Sequence, residues 1–273
     1  MNFESVKNSV LCILCLTFYV ALSLPRTEAA EPIRLRVLSY NIHHAEGVDQ
    51  KLDLQRIARV ILSVKPDVVA LQEVDIQVKR TGSVDQSSEL ARLTNMHVVF
   101  GANIELQGGH YGNAVLSRFP IIHHKNHLLP NFNSGEQRGV VVAGIKITNQ
   151  TAPLLLLATH LDHRRDDRGR IASAKIINKL INQQPQQPAL LAADLNDVRG
   201  SKTLRELETM WKHTADKHLA TFPVSEPQRQ IDFILCRPDK CWKVLEVSAL
   251  DEAIASDHRA VFAQLEFLPD DKP

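Results

Sequence analysis

The chain has 273 residues, 44% of them hydrophobic, enough for one large core or at most two small ones. Lys and Arg total 32 against 31 for Asp and Glu, so bulk charge gives no case for a polyanion partner, and any partner must be argued from a site. No internal repeat recurs along the chain, which excludes solenoids and propellers.

The first thirty residues differ from the rest. Lys7 carries a weak positive charge, Val10 to Leu24 is an unbroken apolar and small-polar run, and Thr27-Glu28-Ala29 offers the small residues at which a signal peptidase cuts. About fifteen such residues are too few to span a ~30 Å hydrocarbon core. The expectation is a signal peptide over residues 1–29, export after its removal, and a single domain over 30–273 with no membrane span. The alternative is an uncleaved N-terminal anchor. Cys12 and Cys15 lie in this leader, leaving Cys236 and Cys241 as an isolated pair that fits a disulfide in an exported protein.

A strand and helix rhythm follows. Ile33 to Tyr40 reads as a strand. Leu54, Ile57, Ala58, Ile61 and Leu62 share one helical face, and Pro66 marks that helix's end. Val68 to Gln72 is a second apolar strand, and Ser87 to Asn95 a short helix. A β-rich stretch comes next: His97 to Gly101, Asn113 to Ser117, Ile121 to Leu129, Gly139 to Thr148 and Pro153 to Thr159. Arg168 to Gln184 reads as a helix, Ala189 to Ala193 as a buried strand, and Ser201 to Met210 as a short helix. Ile231 to Cys236, Trp242 to Leu250 and Ala260 to Phe267 close the chain as strands, with Arg237 to Lys240 as the turn between the first two. Strand–helix–strand units at both ends with a run of strands between them fit two sheets packed face to face, each with helices outside, better than a doubly wound sheet. The loops with most freedom for function are Asp75 to Gln86, Glu105 to Gly112 and Asp162 to Arg170.

Polar residues stand at the margins of the apolar strands. Asn41, Glu73, His160 and Asp194 each end one, with Asn196 two residues after Asp194. Asp232 starts another, and Asp257-His258 stands just before the last. Gathered on one rim of a sandwich they would form one polar pocket, where unpaired carboxylates are costly and a cation is expected. Carboxylate and amide oxygens suit Mg²⁺ or Mn²⁺ rather than a thiolate-loving ion. Arg138, beside Gly139, is a candidate for a substrate phosphate, and Lys79 and Arg80 are further candidates. The histidines His43, His44, His123, His124 and His127 do not suggest a dedicated zinc site: four residues along a strand is too far for one ion. Arg164, Arg165, Arg168 and Arg170 are diluted by Asp162, Asp166 and Asp167, so a solvated loop is expected there rather than a nucleic-acid patch.

Seven segments occur in one order: Ser39-Tyr40-Asn41-Ile42, Leu71-Gln72-Glu73-Val74, Gly112-Asn113-Ala114-Val115-Leu116-Ser117-Arg118, Thr159-His160-Leu161-Asp162, Ala193-Asp194-Leu195-Asn196-Asp197, Ile231-Asp232-Phe233-Ile234 and Ser256-Asp257-His258. This series resembles that of the endonuclease/exonuclease/phosphatase superfamily, the deoxyribonuclease I-like phosphoesterases, over nearly all of residues 30–273. The resemblance implies an α/β fold, a four-layer α/β/β/α sandwich of two mixed β-sheets with helices outside. It implies a phosphoric ester hydrolase dependent on Mg²⁺ or Mn²⁺, with water attacking in line and no covalent intermediate. By position, Glu73 matches the main metal carboxylate, and Asn41 and Asp257 match residues completing the metal shell. Asp194 and Asn196 match the pair orienting water and phosphate, Asp232 and His258 the Asp–His dyad, and His160 a phosphate contact. Asn113, in the third motif, joins Arg138 as a substrate-binding candidate. Two departures stand out. Ala193 replaces a common Gly. His43 occupies a slot that is acidic or Asn in some branches, which argues against a second metal there. The expected substrate is a small or lipid-linked phosphodiester or phosphomonoester and the expected state a monomer. An exported nuclease is the rival enzyme, and an inactive binding module on the same fold the rival of another class.

Overall fold

The computed structural model of the protein describes residues 32–132, 134–147 and 152–268. The leader, and with it the expected signal peptide, lies outside the described residues. Among those residues no helix is long and apolar enough to cross a membrane.

Among the described residues, twelve strands form two six-stranded mixed sheets. The first sheet comprises β1 (Ile33–Asn41), β2 (Val68–Ile76), β3 (His97–Leu106), β4 (Gly109–Ser117), β11 (Trp242–Ala249) and β12 (Val261–Phe267), in the order β11-β12-β1-β2-β4-β3. The second comprises β5 (Ile121–Leu128), β6 (Gly139–Ile145), β7 (Leu154–His160), β8 (Ala189–Asp194), β9 (Lys212–His213) and β10 (Asp232–Arg237), in the order β5-β6-β7-β8-β10-β9. Each sheet contains one parallel pair, β1 with β2 and β7 with β8.

The inner strands β1, β2, β7, β8 and β10 read as largely apolar runs because both of their faces are covered. Along β1, Leu35 and Val37 enter the core between the sheets, while Leu38 and Tyr40 face outward. Along β8, Leu190 and Ala192 enter it, while Leu191 and Ala193 face outward. The outer face of the first sheet is covered by α1 (Leu54–Ser63), through Ile57, Ala58 and Ile61, and by α2 (Gln86–Thr94), through Leu90. That of the second is covered by α3 (Arg168–Asn182), through Ile177, and α4 (Lys202–Glu208), through Leu204 and Leu207. Asp53, Asp85 and Ser201 start α1, α2 and α4 by accepting a backbone N–H three residues on. The result is the expected α/β/β/α sandwich.

Register explains why distant motifs meet. Parallel pairing sets Asn41 beside Gln72 and His160 beside Asp194. Antiparallel pairing sets the start of β10 against the end of β8, with Asp232 opposite Asp194. It also brings the segment before β12 to the end of β1, where Ser39 pairs Val261. One rim therefore collects these strand ends.

Four expectations are corrected. Glu105 to Gly112 is no loop: β3 and β4 form a tight hairpin, closed at Gln107 and Gly108, whose φ values of 47° and 88° suit a two-residue turn. Arg237 to Lys240 is no hairpin turn either, because β10 and β11 belong to different sheets and the segment crosses between them. Without facing strands, Cys236 and Cys241 are not joined to each other; both side chains are buried in the core between the sheets. Finally, β2 continues past Gln72 to Ile76 through a bulge, in which Gln72 and Glu73 together face Asn113.

Candidate active site

The rim encloses a cleft of about 420 Å³ whose walls include Glu73, Arg138, His160, Asp194, Asn196, Asp257 and His258. Asn41 and Asp232 lie buried directly behind them.

The β2 bulge holds Glu73 at a left-handed φ of 59°, a conformation a carboxylate side chain gains nothing from by itself. Its effect is to turn a residue out of the strand's alternation and into the cleft. Asn41 Nδ2 donates to Glu73 Oε1 at 3.0 Å and to Asp194 Oδ2 at 3.1 Å. Its Oδ1 accepts the His43 N–H at 3.0 Å, so the amide presents its NH₂ group to the two carboxylates.

Asp194 is 1% exposed, and its Oδ1 accepts the Asn196 N–H at 2.9 Å. Burial first, and the Asp232 charge second, push its carboxyl up to about 7. Asn196 is also left-handed, with φ 48°, which Asn tolerates better than most residues. Its Nδ2 donates to the Leu161 carbonyl at 3.0 Å, fixing the amide beside His160.

Arg138 donates to His160 Nδ1 at 2.9 Å. The ring's Nε2 lies 2.8 Å from Asn196 Nδ2 and 3.4 Å from Asp194 Oδ2, so donors flank the ring on both sides. Burial, followed by the charges of Arg138, His258 and His163, holds His160 well below the usual histidine range. Arg138 also pairs with Glu136 at 2.8 Å, and its Nε is buried without a partner among the described residues.

His258 Nδ1 lies 3.0 Å from Asp232 Oδ2, and its Nε2 faces Asp194 Oδ2 at 3.7 Å. Burial opposes the charged ring, but Asp232, then Asp194 and Asp257, outweigh it and raise His258 to about 10. Phe222 covers the ring, centroid to centroid at 4.9 Å.

A divalent cation fits this donor set. Asp194, Asp232 and His258 offer ligand atoms within 4.8 Å of one another, and Glu73 is joined to the group through Asn41. Asp232 Oδ1 is buried without a hydrogen-bond partner, and Asp194 is crowded by a like charge. Such groups are stabilised by a bound positive charge.

The structure thus gathers Asn41, Glu73, His160, Asp194, Asn196, Asp232 and His258, with Arg138 against His160 and Asp257 on the cleft wall. Asn113 sits elsewhere. It is 1% exposed, lies opposite the β2 bulge, and donates to the Gly139 carbonyl of the other sheet at 3.0 Å. It buttresses the bulge and is not a wall of the cleft. Arg80 lines the cleft but is held by Asp75 in a two-bond pair. Sequence reasoning missed Tyr111, Glu136, His163, Phe222 and Arg229 as cleft residues. Tyr111 and Phe222 carry no motif; the first enters only through the β3–β4 hairpin.

The model of the Endonuclease/Exonuclease/phosphatase family matches residues 38–258. The Uncharacterized protein YbhP of Escherichia coli (strain K12) is 27% identical over 221 residues, 76% of this chain and 86% of that protein. The endonuclease/exonuclease/phosphatase of Beutenbergia cavernae DSM 12333 superposes with TM-score 0.69 at 25% identity, over 86% of this chain and 72% of that one. The mannosyl-6-phosphatase Bt3783 of Bacteroides thetaiotaomicron VPI-5482 shares the fold, with TM-score 0.71 at 18% identity, over 85% of this chain and all of that one. With a family match over residues 38–258 and six of the seven motifs contributing residues to one cleft, the chain belongs to the endonuclease/exonuclease/phosphatase family.

Proposed function

We propose that the protein is an exported, Mg²⁺- or Mn²⁺-dependent phosphoesterase that hydrolyses a small or lipid-linked phosphate ester by in-line attack of water. One observation carries this reading: Asn41, Glu73, Asp194 and the Asp232–His258 dyad meet within hydrogen-bonding or near-contact distances in one cleft. Glu73 and Asp257 would hold the cation, with Asn41, expected from the sequence as a ligand, instead orienting Glu73 through its NH₂ group. When bound, the cation polarises a phosphoryl oxygen and offsets developing negative charge.

The chain's own residues supply the rest. Asp194, fixed by the Asn196 N–H, aligns water and accepts its proton. A carboxyl brought near neutrality by burial is suited to that exchange. His258, kept charged by Asp232, donates from Nε2 to the phosphoryl oxygens as their charge grows. Arg138 and Asn196 hold the neutral His160 ring in place beside Asp194, through Nδ1 and Nε2. Arg138 contributes a fixed positive charge to the phosphate's surroundings.

The size of the cleft and the pairing of the arginines in and after the Asp162 to Arg170 loop favour a small substrate over a nucleic acid. Arg164, Arg168 and Arg170 are each engaged by an aspartate, Asp162, Asp166 and Asp197. They form no open cationic track. The mannosyl-6-phosphatase named above is consistent with a small phosphomonoester. Export rests on the apolar leader, and a monomeric state is proposed with it. The test is a panel of chromogenic phosphodiesters and phosphomonoesters, phospholipids, plasmid DNA and RNA, each with Mg²⁺, Mn²⁺, Ca²⁺ or chelator. Metal-dependent turnover of a small or lipid-linked ester is expected. Preferential cleavage of DNA or RNA would make the protein a nuclease, and no turnover of any phosphate ester would leave the binding-module reading.

A further inference from the structure

The turn after β1 carries the adjacent pair His43-His44, and the sequence alone sets these imidazoles against a second metal position. The structure places Glu73 beside them. His43, His44 and Glu73 each offer a ligand atom, all within 4.8 Å of one another. The two rings meet edge to face, with centroids 4.5 Å apart, and both line the cleft.

We propose that His43, His44 and Glu73 form a second cation site, selective for a divalent transition metal of the Zn²⁺ class over Mg²⁺. Two imidazoles and one carboxylate suit Zn²⁺ and its neighbours, whereas Mg²⁺ prefers oxygen and keeps its waters. The tautomers are arranged for it. His43 Nδ1 lies 3.0 Å from the Glu46 carbonyl, which only accepts, so Nδ1 carries the proton and Nε2 keeps its lone pair. His44 is nine-tenths buried, and its Nδ1 has no hydrogen-bond partner. Its Nε2 lies 3.6 Å from the Glu46 carboxylate, an outer group of the kind that orients ligand histidines.

The backbone is held for the same end. His43, His44 and Ala45 are all left-handed, with φ of 46°, 43° and 63°, and Glu73 faces them from its own left-handed position at 59°. Buried Gln86 locks the turn to β2. Its Nε2 donates to the His44 carbonyl at 2.7 Å, and its Oε1 accepts the Asp75 N–H at 2.9 Å. The nearby Arg80 charge is already engaged by Asp75. Strained backbone persists where surrounding contacts over-determine it, and such places gather at ligand sites.

The site is read from metal content, not turnover, so its failure is separable from failure of the phosphoesterase reading. The experiment is equilibrium dialysis of the chelator-stripped protein against Zn²⁺ in a large excess of Mg²⁺, followed by elemental analysis. The wild type should retain one equivalent of Zn²⁺ that Mg²⁺ does not displace. The double variant His43→Asn/His44→Asn should lose it while keeping its circular dichroism, since Asn tolerates positive φ. Should the double variant not fold, His43→Asn alone, at a half-buried ring, should still lose the Mg²⁺-resistant equivalent. A wild type without that equivalent, or a folded variant that retains it, overturns the proposal.

Discussion

Asn41 and Glu73 are joined by a 3.0 Å hydrogen bond from Nδ2 to Oε1, and the same amide reaches Asp194 at 3.1 Å. One side chain thus ties together carboxylates delivered by two different sheets. Glu73→Gln keeps the volume and removes the anionic ligand. It is expected to weaken Mg²⁺ or Mn²⁺ binding by at least the roughly 10–100-fold that outer-sphere changes cost. Excess metal should recover part of the lost rate. Isothermal titration checks this, and an unchanged affinity would remove Glu73 from the metal shell.

Stability should depend on pH in a direction set by two groups. Asp194 is raised from 3.8 to about 7, chiefly by burial, and His258 from 6.5 to about 10, by Asp232 and then Asp194 against burial. In both, the folded value lies above the unfolded one, so the folded state binds more protons in between. Their contribution is complete below the unfolded values and is lost as pH rises through the folded ones. The chelated protein should therefore melt at falling temperature from about pH 6 to about pH 9, and Mg²⁺ should flatten the trend by replacing the proton on Asp194. Melting curves in chelator and in Mg²⁺ check this; a melting temperature that rises across the window in chelator would contradict it.

Much of the fold was legible because each apolar run is buried on both faces and ends in a polar residue. Asn41, Glu73, His160 and Asp194 announce the rim by closing such runs. Less was legible where one residue reverses a local rule. Nothing in Leu71-Gln72-Glu73-Val74 signals the bulge that turns Glu73 into the cleft, since alternation alone would place it on a sheet face. Asn113 is a substrate-binding candidate only by its place in the third motif; its partner, Gly139, lies in the other sheet and only pairing across the core reveals it. Arg237 to Lys240 read as a hairpin because turn residues say where a chain bends, not which sheet it enters next.

The buried cysteines give a chemical readout of that crossing. Burial, followed by the Asp239 charge, pushes the Cys236 thiol up to about 12. Neither thiol should alkylate quickly in the folded protein at neutral pH, and both should do so in denaturant without reductant. Mass spectrometry of non-reduced, alkylated protein checks this. A mass showing one disulfide would contradict the crossing geometry.

Export makes its own prediction. Protein recovered from its native host should begin near residue 30, as read by N-terminal sequencing. An intact Met1 on membrane-bound protein would establish an anchor in place of a signal peptide.

The dyad tests the chemistry. Asp232 begins β10 in one sheet, while His258 precedes β12 in the other, and their 3.0 Å contact makes them one unit across the core. Asp232→Asn and His258→Ala should each lower kcat by about 10²–10³. Their double variant should lose less than the product of the two. The most direct measurement is kcat of folded His258→Ala against wild type, on the best phosphate ester from the panel, at saturating metal. The account predicts a loss of about 10²–10³ that added metal does not restore. A variant that keeps nearly full phosphoesterase activity would contradict it.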